Sequence, residues 1–169
     1  MHETRGPVAS ERNRLIQPVG DSDIESVRMQ ENIYELNDIE ESKTLARRIA
    51  AGLHKGDIVT FHGDLGSGKT FFAREIIRFY CGNNTIVPSP TFNILQIYKT
   101  DGFSIYHYDL YRLNSPSDLY ELGFEEALGN NICLIEWPEM AASFLPQGIE
   151  VYLEIKNDIR VCRIRHMLL

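Results

Sequence analysis

The feature that most constrains this chain is the stretch at residues 63–70, GDLGSGKT, which follows a short apolar run and precedes a helical pattern. Its spacing fits G-x-x-x-x-G-K-[ST], the pattern of a phosphate-binding P-loop. Glycines let successive backbone N–H groups turn toward phosphate oxygens, and the N-terminus of the next helix presents its positive end to the same anion. The stretch therefore predicts a strand, a phosphate-binding loop and a helix in that order.

The flanking sequence agrees with this prediction. Residues 57–62 (DIVTFH) predict a buried strand, and apolar residues recur at helical spacing over residues 71–80, before Gly82 as a stop. A glycine-rich turn without a ligand is the weaker interpretation in this context. Lys69 would reach the β- and γ-phosphates of a nucleotide, and the Thr70 hydroxyl would ligate Mg²⁺.

One P-loop residue is unusual. A carboxylate at Asp64 would repel phosphate unless the side chain points away or takes part in the reaction, so its role stays open. The P-loop residues predicted to contact the nucleotide are Asp64, Leu65, Gly66, Ser67, Gly68, Lys69 and Thr70.

The composition is ordinary for a globular protein of one domain. The chain has 169 residues, of which 43% are hydrophobic and 24% charged, and no apolar run approaches the length that spans a bilayer. The amino terminus lacks a signal pattern, and three well-separated cysteines suit a reducing compartment. We expect a cytoplasmic protein with a flexible leader at residues 1–28 and a P-loop domain at residues 29–169.

The charge argues against unaided binding to nucleic acid. The net charge is −7, and a phosphate backbone requires concentrated cations. The local basic density is at Arg160, Arg163, Arg165 and His166. A solvated edge strand is the favoured interpretation of these residues, with an RNA-binding patch as the alternative. If RNA is involved, we expect another protein to hold it.

The remaining patterns predict an α/β fold. Asn37 or Asp38 should cap the first helix, Ser115 should cap a later one, and Asp101-Gly102 should form a hairpin turn. The other predicted elements are a strand at 33–36, a helix whose apolar stripe runs from Ile39 to Leu53, strands at 92–98 and 103–108, a helix over 115–128, and strands at 132–136, 149–155 and 160–169. The predicted architecture is a P-loop NTPase-like three-layer sandwich with a mixed, mainly parallel sheet and an antiparallel hairpin.

Two acids lie at predicted strand ends. Residues 132–136 (ICLIE) have the form of a Walker B strand, which places Glu136 where α/β sheets bind ligands and makes it a candidate Mg²⁺ ligand, direct or through water. Asp109 could orient an attacking water or a partner group. His107 shares its strand face, but two residues are too few for a metal site of their own.

Two further residues are candidates for nucleotide contact. Thr91 follows Pro88 and Pro90 in a loop where nucleotide-sensing segments often lie, and it is either a strand-start threonine or a nucleotide contact. Trp137, the single tryptophan, directly follows Glu136.

Four segments together resemble one family. Residues 63–70 (GDLGSGKT), 88–92 (PSPTF), 107–113 (HYDLYRL) and 134–139 (LIEWPE), in this order, look like the bacterial TsaE (YjeE) family. Its members are small P-loop ATPases required for making threonylcarbamoyladenosine in tRNA. The match covers residues 33 to 160, and the longer leader departs from the family pattern.

The resemblance implies ATP and Mg²⁺ as cofactors, with magnesium held by Thr70 and Glu136. It also implies contact of Thr91 and Trp137 with the nucleotide or a switch segment. The predicted catalytic residues are Lys69, Asp109 and Glu136. The implied partners are TsaB and TsaD, in a complex where ATP hydrolysis resets the transfer of the threonylcarbamoyl group and tRNA is contacted only indirectly.

Two alternatives stay open at this point. A small-molecule or nucleotide kinase would share the P-loop but usually carries an arginine-bearing lid, and here only Arg112 closely follows an acidic strand end. A binding module without turnover would lack a working Asp109 or Glu136. The guanine-reading N-K-x-D element is missing, which favours ATP over GTP.

Overall fold

The computed structural model describes residues 29–167, so the predicted leader lies outside the described residues. The strands are β1 (Met29–Leu36), β2 (Ile58–His62), β3 (Leu95–Lys99), β4 (Ser104–Asp109), β5 (Ile132–Glu136), β6 (Ile149–Lys156) and β7 (Ile159–Met167). The helices are α1 (Ile39–Ala51), α2 (Lys69–Cys81), α3 (Asp118–Glu121), α4 (Phe124–Ala127) and a 3₁₀-helix at Pro138–Ala141. Within the described range, none of these helices is long and apolar enough to cross a membrane.

One seven-stranded sheet has the order β1-β7-β6-β2-β5-β4-β3. The central strands are parallel, because β2 pairs with β5 and β6, and β5 also pairs with β4. Antiparallel pairs form both flanks, β1 with β7 and β7 with β6 on one side, and β3 with β4 on the other. The mixed sheet and its hairpin are confirmed. The sheet is not mainly parallel, because it has equal numbers of parallel and antiparallel strand pairs.

Both faces of the sheet are covered, which confirms the three layers. α1 and α2 pack on one face, where Phe72 and Leu134 belong to the same buried cluster. α3 and α4 pack on the opposite face, where Phe124 and Ile135 are buried together. Because side chains alternate along a strand, the successive residues Leu134 and Ile135 contribute to different clusters. A continuous apolar run is therefore what this central strand requires.

Asp38, rather than Asn37, caps α1. Its carboxylate accepts a hydrogen bond of 2.8 Å from the Glu41 amide, and the Glu41 carboxylate accepts one of 2.7 Å from the Asn37 amide. The first bond satisfies a backbone donor that the first turn of a helix leaves free, and the second ties Asn37, just before the cap, to the same turn. Ile39 is exposed, so the buried apolar stripe begins only at Leu45.

The predicted helix over residues 115–128 is wrong as a continuous element. Two single-turn helices form instead, and between them Gly123 has a φ of +69°, a left-handed conformation that ends a helix. Ser115 makes the bonds of a helix start as predicted, because its hydroxyl accepts from the Ser117 amide at 3.3 Å and its amide donates to the Asp118 carboxylate at 3.0 Å, although α3 itself begins only at Asp118.

The strand predicted over residues 92–98 begins later than expected. The Ile94 amide donates to the Pro90 carbonyl, and Ile94 has a φ of +62°, so the chain turns here before β3. Phe92 is 85% exposed as a result. Its aromatic character suggested a strand, but the turn that the prolines initiate overrides that preference.

Replacing Asp38 with alanine should lower the free energy of unfolding by about 1 kcal/mol, because the Glu41 amide loses its acceptor. Urea denaturation measures the change. Asp38→Ser keeps a side-chain oxygen at the cap and should remain close to the unsubstituted chain. Equal midpoints for the alanine variant and the unsubstituted chain would contradict the capping role.

Candidate nucleotide site

The candidate site lies where the carboxyl ends of β2, β5 and β4 meet at one edge of the sheet. A cavity of about 250 Å³ opens there, beside the loop that joins β2 to α2. The predicted site residues that line it are Leu65, Gly66, Gly68, Lys69, Thr70, Thr91, Asp109, Glu136 and Trp137. Asp64 is exposed and Ser67 is buried, and both lie outside this lining. Contact with a nucleotide stays a prediction for all of them.

The loop has the backbone shape of a phosphate cradle. Gly63, Gly66 and Gly68 all have positive φ, and a Cβ at Gly63 would collide with the Leu153 carbonyl oxygen. α2 begins at Lys69 after a glycine cap, which provides no side-chain acceptor for the first amides of the helix. Uncapped amides at a helix N-terminus form a site that suits an anion.

Lys69 is folded against the loop. Its ammonium donates to the carbonyls of Gly63 at 2.5 Å and Asp64 at 2.8 Å, and it lies 3.7 Å from the ring centroid of Trp137. Burial lowers the pKa of Lys69, while nearby carboxylates, first Glu136, act in the opposite direction. The ammonium is thus placed beside the cavity with contacts that a phosphate could replace.

Glu136 is held at both oxygens. Oε2 accepts a hydrogen bond of 2.8 Å from the Thr70 hydroxyl, and Oε1 lies 2.8 Å from Nε2 of His107. Carboxylate and hydroxyl oxygens are ligands that Mg²⁺ prefers, and neighbouring ligands of an octahedral ion with bonds of about 2.1 Å lie about 3 Å apart. The two predicted metal ligands therefore fit one magnesium ion.

Asp109 lies directly beside Glu136, because the two residues are paired across β4 and β5. Its Oδ2 accepts from the Thr91 hydroxyl at 2.8 Å, and its Oδ1 accepts from the Tyr111 amide at 3.1 Å. The strand-start interpretation of Thr91 is wrong, since β3 begins four residues later. In this structure Thr91 fixes the orientation of Asp109.

Trp137 adopts a backbone conformation that is rare for its type. Its φ of +56° is left-handed, and its ring lies 4.9 Å from that of Tyr111 while covering Lys69. Left-handed conformations of bulky residues are costly and cluster at ligand sites. The turn places the tryptophan ring over the cavity immediately after the Glu136 strand end.

Arg160 supports the loop, a role that the sequence reasoning missed. β7 lies between β1 and β6 and is not an edge strand, so the edge interpretation of the basic residues is wrong. Nε of Arg160 donates to the Ser67 carbonyl at 2.9 Å, and Nη1 donates to the Ser42 hydroxyl at 3.1 Å. Arg163 and Arg165 contact Glu31 instead. Strand alternation, which puts 160 and 163 on opposite faces, was the available signal.

The sequence reasoning also missed the contact of His107 with Glu136. The sequence placed it correctly on the face of Asp109, where it was considered only as a metal ligand. It lies two residues before Asp109 on β4 and contacts the Glu136 carboxylate. Its partner on the neighbouring strand could not be read without the register of β4 against β5.

Comparison with known proteins identifies the family. Residues 36–164 match the family model described as "Threonylcarbamoyl adenosine biosynthesis protein TsaE". The chain belongs to the TsaE family. The resemblance inferred from the four sequence segments is confirmed.

Individual TsaE proteins match over most of the chain. The tRNA threonylcarbamoyladenosine biosynthesis protein TsaE of Rickettsia conorii is 57% identical over 134 residues, 78% of this chain and 77% of the relative. That of Bacillus subtilis is 39% identical over 109 residues, 64% of this chain and 67% of the relative. The crystal structure of Bacillus subtilis YdiB superposes with a TM-score of 0.67 at 27% identity, covering 85% of this chain and 90% of YdiB.

Replacing Arg160 with methionine should loosen the loop of this TsaE protein. The substitution keeps much of the side-chain length but removes a charge-assisted bond to the Ser67 carbonyl, which is worth about 1.5–3 kcal/mol. We expect amide hydrogen exchange at Ser67, whose amide donates to the Asp64 carbonyl within the loop, to accelerate about 10-fold or more.

Arg163→Met is the matched control, because Arg163 lies on the opposite face of the same strand and contacts Glu31 instead of the Ser67 carbonyl. Loop exchange at the unsubstituted rate in the Arg160 variant would show that Arg160 does not support the loop.

Proposed function

We propose that this chain binds ATP with magnesium in the P-loop cavity and hydrolyses it as a component of threonylcarbamoyladenosine biosynthesis in tRNA. The observation that carries the proposal is the convergence of Lys69, Thr70, Asp109 and Glu136 on one cavity at the edge of the sheet. Membership in the TsaE family supports the pathway. The chemistry follows from what each of these side chains can do.

The phosphate chain would be bound mainly by charge and backbone amides. Lys69 is the one Lys or Arg side chain among the residues that line the cavity in the described part of the chain. Its ammonium is bound to two carbonyls of the loop, so it can turn to phosphate oxygens with little movement. The N-terminus of α2 adds the partial positive charge of its free amides.

Thr70 and Glu136 would hold the magnesium ion. When bound, the ion neutralises charge on the β- and γ-phosphates. The role of the protein is to hold two oxygens about 3 Å apart, as neighbouring ligands of one ion require. The distance of 2.8 Å between Thr70 Oγ1 and Glu136 Oε2 meets that requirement.

Asp109 would orient the attacking water. The bonds from Thr91 and the Tyr111 amide fix the plane of its carboxylate, and the side chain lines the cavity. A carboxylate held in this way can accept a hydrogen bond from water and receive its proton. A positioning role requires such a fixed acceptor.

Partner proteins of the TsaB and TsaD type would hold the tRNA. The net charge of −7 disfavours a direct role in binding RNA. At the cavity, Leu65 is 87% exposed and Tyr111 is also exposed, so apolar surface is available beside the nucleotide site. Modification of tRNA with purified partners, with and without this chain, tests the assignment to the pathway.

A kinase is the second candidate, and the cavity favours it less. Arg112, the arginine closest after Asp109, stacks on Phe92 with 5.5 Å between its guanidinium carbon and the ring centroid, and it is outside the lining. Incubation with γ-labelled ATP and a metabolite pool separates the two reactions. Label that appears as free phosphate supports hydrolysis, whereas label on a metabolite supports a kinase.

Lys69→Ala should weaken ATP binding by about 10- to 100-fold, because the phosphates lose charge-assisted hydrogen bonds. Isothermal titration calorimetry with a nonhydrolysable ATP analogue measures the change. Lys156→Ala, in the exposed hairpin between β6 and β7, is the control and should bind normally. Undiminished affinity in the Lys69 variant would refute the proposed site.

Asp109→Asn should slow hydrolysis by about 100-fold or more while ATP affinity changes little, because the neutral amide cannot take a proton from water. Single-turnover measurement of phosphate release separates chemistry from binding. The control is Asp101→Asn in the exposed turn between β3 and β4. Phosphate release at the unsubstituted rate would remove Asp109 from the mechanism.

A further inference from the structure

His107 is a fully buried polar residue next to the site. Its side chain has 0% exposure, and the Glu136 side chain that it contacts has 2%. Burying a polar ring costs free energy that an apolar residue on the same strand would not. Filling the core alone therefore does not explain a histidine at this position.

The hydrogen-bond pattern assigns the tautomer of His107. A carboxylate accepts but does not donate, so Nε2 carries the proton that lies toward Glu136. Nδ1 has no hydrogen-bond partner among the described residues. A proton on Nδ1 would be a buried donor without an acceptor, so a proton on Nε2, directed at Glu136, fits the surroundings. All the hydrogen bonding of this ring is directed at one oxygen.

The register of two strands produces this contact. His107 pairs with Leu134 across β4 and β5, and Glu136 lies two residues further on the same face of β5. The ring therefore reaches along the sheet to Oε1, while α2 brings the Thr70 hydroxyl to Oε2. One carboxylate is held between a strand on one side and a helix on the other.

We propose that His107 is a positioning residue that holds Oε1 of Glu136, so that Oε2 stays at Thr70, where magnesium would be bound. This inference rests on the proposed function. Partners that orient metal ligands typically affect metal affinity by about 10- to 100-fold when they are removed. In this chain the partner is a histidine that is not among the residues lining the cavity.

Two amide substitutions separate positioning from packing. Glutamine at position 107 can place an N–H near the position of Nε2, whereas the shorter asparagine ends near the level of Nδ1. Magnesium chloride is titrated at a fixed concentration of a nonhydrolysable ATP analogue, and fluorescence of Trp137, the single tryptophan, reports binding. We expect His107→Asn to weaken the apparent magnesium affinity about 10- to 100-fold. His107→Gln should stay within about threefold of the unsubstituted chain if the amide restores the contact.

Tyr108→Phe is the matched control. Tyr108 is buried on the same strand but faces the opposite side of the sheet, and its hydroxyl has no partner among the described residues. This variant should bind magnesium normally. Thermal melts of all three variants show whether each is folded before affinities are compared.

A double-mutant cycle provides the second measurement. If His107 acts through Glu136, His107→Asn should have no further effect on magnesium affinity in a Glu136→Ala background. Additive losses would overturn the positioning role, as would normal magnesium affinity in the single asparagine variant. If the unsubstituted chain shows no magnesium-dependent nucleotide binding by calorimetry, the proposed function itself fails, and this inference falls with it.

Discussion

The site depends on placing two buried carboxylates next to each other. Asp109 and Glu136 are paired across adjacent parallel strands, and both are buried. Neighbouring carboxylates repel each other strongly where water is excluded. The surrounding structure compensates with directed donors, two for each acid. Thr91 and the Tyr111 amide serve Asp109, while Thr70 and His107 serve Glu136. The Lys69 ammonium supplies nearby positive charge. The magnesium ion of the proposed function would reduce the repulsion further.

The glycine-rich loop at residues 63–68 is held by β6 and β7 as well as at its two ends. Gly63 lies so close to β6 that the Leu153 carbonyl leaves no space for a side chain, and Arg160 of β7 bonds to the Ser67 carbonyl. Arg160 also bonds to Ser42 of α1, which joins three separate elements at one guanidinium. A loop rich in glycine has high conformational entropy when free, and these contacts limit it before a ligand arrives.

Local patterns predicted the central fold well, and most of the residues predicted to form the site line one cavity. In the strand, loop and helix at residues 57–82, the apolar spacing, the glycine positions and the helix stop all predict the same structure. The same reasoning failed at residues 115–128, where the start signal at residues 115–118 suggested one helix but Gly123 takes a left-handed φ. It failed again at Phe92, where a turn initiated by prolines overrode β-propensity. The sequence also could not show that Arg160 and His107 contact the loop and Glu136, because those contacts depend on strand order and register.

The way β6 and β7 support the loop has a consequence for any attempt to transplant the site. The segment from β2 to Glu136 carries every residue that we assign to chemistry, yet the carbonyl behind Gly63 and the guanidinium behind Gly68 come from the following hairpin. A fragment that ends at Glu136 would keep these residues but would lose the contacts of Leu153 and Arg160 with the loop. The residues that we assign to chemistry all lie between β2 and Glu136, but the loop that would bind the ligand also depends on contacts from β6 and β7.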